Sequence, residues 1–212
     1  MTMTAFISLC WKKARLEFAV LVACVCLSAA PTLAYAQSLV AEVSQLQIER
    51  SAEGVFLSAS VRFELPTAVE DALLKGVPMF FVVEAEVYRD RWYWYDKRLI
   101  TAERHMRLAY QPLTRRWRLN IASGVITANS LGVALNQSFD SLPDALAALR
   151  RVARWKITDA AEIDSEQRHT VVYSFRLDLS QLPRPFQIGV LGQTDWNISA
   201  STSQRLSMES AK

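Results

Sequence analysis

Eight basic residues crowd one stretch of 22: Lys97, Arg98, Arg104, His105, Arg107, Arg115, Arg116 and Arg118, countered only by Glu103. Guanidinium groups at this density suit an anionic ligand, because each presents a planar fork of donors to carboxylate or phosphate oxygens. Just upstream, Trp92, Tyr93, Trp94 and Tyr95 set four rings in a row. Flat rings with a polar edge can stack on a sugar, grip a peptide or rest at a membrane interface. Glu84 and Glu86, two apart, project from the same face of a strand and with His105 form the one set capable of acid–base or cation-binding chemistry. Each feature also has a plainer reading. Alternate rings would cap a core, the arginines would solvate a strand face and discourage edge aggregation, and the two glutamates would complement neighbouring arginines.

Other chemistries lack their residues. The only histidines, His105 and His169, stand far apart with no second ligand at helical spacing, so no metal site is expected. Ser123-Gly124 lacks the residues of a nucleophile elbow, and the six glycines are scattered at turns and caps instead of forming a phosphate-cradling loop. Neither a cofactor nor a catalytic residue set is expected.

The elements that must position these groups are mostly strands. Val55, Leu57, Ala59, Val61, Phe63 and Leu65 alternate with polar residues, and a weaker strand around Leu46 and Ile48 precedes them, so the two predict a hairpin. Pro66 opens a short helix through Lys75, with Val69, Leu73 and Leu74 inward and Gly76 as a left-handed cap. Met79–Trp92 reads as a central strand that emerges into solvent. Ile100–Tyr110 and Trp117–Ile121 read as an antiparallel pair that places Arg107, Arg116 and Arg118 on one solvent face. The segment from Gly124 to Leu135 is open between loop and edge strand. Ser141 caps a second helix whose apolar stripe runs Leu142, Leu146, Leu149, Val152, with Arg150, Arg151 and Arg154 toward its end. Val171–Leu179 alternates again, Phe186–Leu191 suggests a further strand, and residues 201–212 form a polar, frayed tail. Hairpin-linked strands with two short helices predict a mainly β chain: an antiparallel two-layer β-sandwich with helices in the crossovers, spanning residues 37–200.

The N-terminus carries Lys12, Lys13 and Arg15, then an apolar run from Phe18 to Ala30, then Ala34-Tyr35-Ala36. This is the order of a secretory signal peptide, residues 1–36, cut after Ala36. Two alternatives stand beside it: lipidation at Cys24, within Leu21-Val22-Ala23-Cys24, and an uncleaved anchor. Cys10, Cys24 and Cys26 all precede the expected cut, leaving the mature chain without thiol chemistry or disulfides. Processing removes three basic residues and one acid from a chain of net charge +3, so the mature balance is +1 and predicts no polyanion partner.

The blocks Val87 to Asp96, Leu108-Ala109-Tyr110, Leu113 to Asn120, Phe139 with the following Leu142-Pro143 helix, and Leu182-Pro183 resemble the proteobacterial exported family called domain of unknown function 4390. The resemblance covers essentially the whole mature chain. It implies no established activity and no catalytic residues, and hints at envelope signalling beside a membrane sensor kinase. Taken together, these readings lead us to expect a non-catalytic periplasmic interaction module. Its candidate surface is Trp92, Tyr93, Trp94, Tyr95, Arg104, Arg107, Arg116 and Arg118. The partner would be an envelope protein or an anionic envelope component, with peripheral membrane contact open and nucleic acid disfavoured by location. The rivals are an enzyme acting on envelope material through Glu84, Glu86 or His105, and a membrane-attached structural protein.

Overall fold

In the computed structural model, the residues described are 41–91, 93, 96–126, 135–164, 167–184, 186–187 and 196–206, all within the unit Leu39–Lys212. The alternating stretches form strands as their period requires. The chain runs β1 (Ala41–Ser51), β2 (Gly54–Phe63), helix α1 (Thr67–Leu74), β3 (Met79–Arg89), β4 (Lys97–Gln111), β5 (Arg116–Ala122), β6 (Leu135–Phe139), helix α2 (Leu142–Leu149), β7 (Arg151–Thr158), β8 (His169–Leu177) and β9 (Ser199–Arg205). The predicted hairpins β1–β2 and β4–β5 both form.

Among the described residues all pairings are antiparallel, in a three-stranded sheet ordered β1-β2-β7 and a six-stranded sheet ordered β6-β5-β4-β3-β8-β9. The two sheets bury facing apolar sets: Val55, Leu57, Val61 and Phe63 from β2 against Phe81, Val83, Met106, Leu108, Tyr173 and Phe175. Phe63 stacks on Phe175 at 5.3 Å between ring centroids and approaches Phe81 at 6.0 Å, which ties the smaller sheet to the centre of the larger. The architecture is thus the expected β-sandwich, with period-2 alternation deciding which side of each strand enters it.

Helix α1 follows Pro66, whose carbonyl accepts from Val69 and Glu70, and it buries Val69, Ala72 and Leu73, while Leu74 is exposed. Gly76 takes the left-handed conformation at φ 84°. Helix α2 starts where the Ser141 hydroxyl accepts from the Asp144 N–H.

Three expectations are corrected. Helix α2 stops at Leu149, and Arg151, Val152 and Arg154 belong to β7. The aromatic and β-branched content of Val152, Trp155, Ile157 and Thr158 fits a strand, and β2 offers an unpaired edge that these residues complete while burying Val152, Trp155 and Ile157. Arg150 sits at the corner, its guanidinium 4.9 Å over the Phe63 ring and donating to the Phe63 carbonyl at 2.5 Å. Secondly, residues 201–205 are not a frayed tail: with Ser199 and Ala200 they form β9, pairing from Arg176↔Ser199 to Thr170↔Arg205 along β8. Backbone pairing orders this polar segment without needing apolar side chains on both faces. Thirdly, Phe186 and Gln187 lie in a helical turn, each donating to the Pro183 carbonyl, and the rest of the strand expected over 186–191 lies outside the described residues. Of the segment from Gly124 to Leu135, Gly124, Val125 and Ile126 lie in no strand, Leu135 opens edge strand β6, and residues 127–134 lie outside the described residues.

Candidate site on the outer face of the larger sheet

Register fixes which arginines meet. Opposite β4 and β5 residues share a face, and the pairs Arg107↔Asn120, Ala109↔Arg118 and Gln111↔Arg116 put Arg107, Arg116 and Arg118 together on the outer face. Arg107 and Arg118 are diagonal neighbours there. Burial disfavours charge on the half-buried Arg107 and, with the nearby Arg118 charge, lowers its pKa. Among the described residues neither makes an ion pair, whereas Arg116 reaches Asp140 at 3.2 Å with both side chains largely exposed. Beside them on the same face Phe80, Val82 and Ala109 are buried, and the buried Asn120 donates its amide to the Asn136 side-chain oxygen while its own Oδ1 has no partner among the described residues.

Arg104 does not belong to this patch. It is an odd number of residues from Arg107, so the strand turns it to the opposite face, where its guanidinium lies 4.9 Å over the ring of Trp155 from β7. Desolvation between the sheets lowers its pKa. Arg104 acts in packing, and the parity of its position was the available signal.

Tyr93 of the aromatic run stands apart from the patch. Tyr93 is 70% exposed in the β3–β4 connection, where the Arg91 N–H donates to Asp96 at 3.0 Å; Trp92, Trp94 and Tyr95 lie outside the described residues. The connection joins β4 at Lys97, ten residues before Arg107, so about 33 Å of strand separates it from the basic patch. Sequence proximity had suggested one surface; an extended 15-residue strand makes it two.

The acid–base candidates share the outer face without converging. Glu86 accepts from Arg98 at 2.7 Å and from the Tyr88 hydroxyl at 2.9 Å, and these contacts, the Arg98 bond first, hold its carboxyl below the ordinary range. A carboxylate stabilised in that way is a weak proton acceptor. His105 is buried, with Nε2 3.2 Å from Glu103 and Nδ1 without a partner among the described residues, and Glu84 stands opposite Glu103 in the β3–β4 ladder. His169 lies elsewhere, buried at the start of β8. No group of three or more His, Cys, Asp or Glu among the described residues is placed to hold a metal ion.

A family model described as Domain of unknown function (DUF4390) matches residues 39–206, which takes in every strand of both sheets. Neither a curated protein nor a solved structure matches the chain.

Proposed function

This chain belongs to the DUF4390 family, whose description names no activity, and from that premise we propose that it is a non-catalytic interaction module of the cell envelope that takes an anionic partner on the outer face of its larger sheet. The observation that carries this reading is the Arg107–Arg118 pair: like charges set side by side, one of them half-buried, with no ion-pair partner among the described residues. Such an arrangement lowers its own energy when an anion arrives. Export follows from the leader, residues 1–36; among the described residues no helix is long and apolar enough to cross a membrane. Acid–base chemistry is the weaker reading, because Arg98 and Tyr88 already occupy Glu86.

The test is crosslinking in intact cells followed by partner identification, comparing the wild type with a triple variant, Arg107→Ser, Arg116→Ser and Arg118→Ser. The variant should fold with an undiminished melting temperature and lose the captured partner. Identical crosslinked species from both proteins would remove the proposal. Intact-mass measurement of the exported form separates cleavage after Ala36 from lipidation at Cys24, which would favour a membrane-attached role.

A further inference from the structure

The outer face of the smaller sheet carries a depression of about 480 Å³, lined by Gln45 and Gln47 of β1, Ser58 and Ser60 of β2, and Arg151 and Arg154 of β7. Two irregularities of register flank it. One falls between Val43 and Gln45 on β1; the other falls between Leu57 and Ala59 on β2, where Ala153 and Arg154 together oppose Ser58. An extra residue of this kind bends the strand and re-aims a side chain. Arg154 is held at φ 40°, in the left-handed region that disfavours a residue with a Cβ, and its N–H donates to the Ser58 hydroxyl at 3.0 Å. Its guanidinium lies 5.2 Å over the Phe56 ring, which fixes the direction of the charge.

The lining is mostly polar, with Ala59, Val152 and Ala153 set among the polar residues, and neither of its two cations faces an acid. Among the described residues neither Arg151 nor Arg154 makes an ion pair, while the next basic residue on the strand, Lys156, is closed by Asp159 at 2.6 Å. Two guanidinium forks match a carboxylate, and two amides with two hydroxyls offer both donors and acceptors to ring hydroxyls. We propose that this depression binds a small polyhydroxylated carboxylate, the chemistry of an acidic sugar. It is a second site, independent of the Arg107–Arg118 face, which lies on the other sheet.

The isotope-labelled protein titrated with glucuronate, glucose and inorganic phosphate, followed by amide resonances, tests this. Glucuronate should move Gln45, Gln47, Ser58 and Ser60, with glucose and phosphate each at least about tenfold weaker, since each lacks half of the matched groups. Arg154→Gly relaxes the left-handed residue and removes the guanidinium, so it should keep or raise the melting temperature while weakening glucuronate at least about tenfold. Arg151→Ala should weaken it too and carries the test if Arg154→Gly does not fold. Arg107→Ser with Arg118→Ser should leave glucuronate affinity unchanged, which keeps the two sites distinguishable. No shifts with glucuronate, phosphate binding as tightly as glucuronate, or unchanged affinity in both pocket variants would overturn the proposal.

Discussion

Replacing Arg118 by Gln should stabilise this protein, and the size of the effect measures the strain on the outer basic face. Arg107 and Arg118 are diagonal neighbours across β4 and β5, a placement that sets them about 7 Å apart. Two unit charges at that separation repel by about 0.6 kcal/mol in bulk water and about 1.2 kcal/mol at half its dielectric constant. Arg118 is exposed, so screening brings the effect to about 0.5 kcal/mol at physiological ionic strength and leaves about 1 kcal/mol near 10 mM salt. For a domain of this size, the melting temperature of Arg118→Gln should then rise by about 3 °C at low salt and by about half that at physiological salt. Thermal unfolding across a salt series is the assay. A bound anion at ten times its dissociation constant should stabilise the wild type by about 1.4 kcal/mol, and the variant by less. Arg104→Ala is the control, because Arg104 stacks on Trp155 between the sheets and its loss should cost about 1–2 kcal/mol. A melting temperature that falls in Arg118→Gln, or rises equally at all salt concentrations, would refute the charge argument.

Phe63 and Phe175 join the two sheets, so a double-mutant cycle with Leu at each position should show about 1 kcal/mol of coupling by denaturant unfolding; additive losses would mean that the rings do not bridge the sandwich. At Gly54, φ 148°, a Cβ would lie 2.2 Å from the Thr158 carbonyl oxygen, and Gly54→Ala should cost about 3 kcal/mol. Gly76 has open space around it at φ 84°, so Gly76→Ala should cost only about 1 kcal/mol, and equal losses at both glycines would contradict the close approach of β7 at Gly54. Burial lowers the pKa of His169 below its ordinary 6.5, against the opposing influence of the Gln167 backbone, Asp164 and Asp90. The neutral ring is therefore favoured by folding: its contribution is fully present above pH 6.5 and is lost as pH falls through the lower folded value. Melting temperatures measured from pH 7 down to pH 5 should decline in the wild type, and the decline should be shallower in His169→Phe; parallel profiles would remove this histidine from the pH response.

The sequence by itself determined the clearly alternating strands and which side of each of them is buried. Val55 to Phe63 and Val171 to Leu177 show their inward faces because alternation is a local property, and two residues suffice to repeat it. The same parity made Arg107, Arg116 and Arg118 a shared face once β4 and β5 paired. Only the tertiary structure decided what each face meets. Arg104 has the composition of a surface residue, yet the opposite sheet arrives over it with Trp155. The apolar spacing from Leu142 to Val152 continues a helix, but the open edge of β2 draws Arg151–Thr158 into a strand, since pairing a backbone edge and burying Trp155 outweigh one more helical turn. Residues 201–205 have almost no apolar pattern and are ordered by the ladder that β8 offers. The depression bearing Arg151 and Arg154 arises from two bulges on different strands, which no single stretch of sequence encodes, because a bulge exists only relative to the partner strand it fails to match.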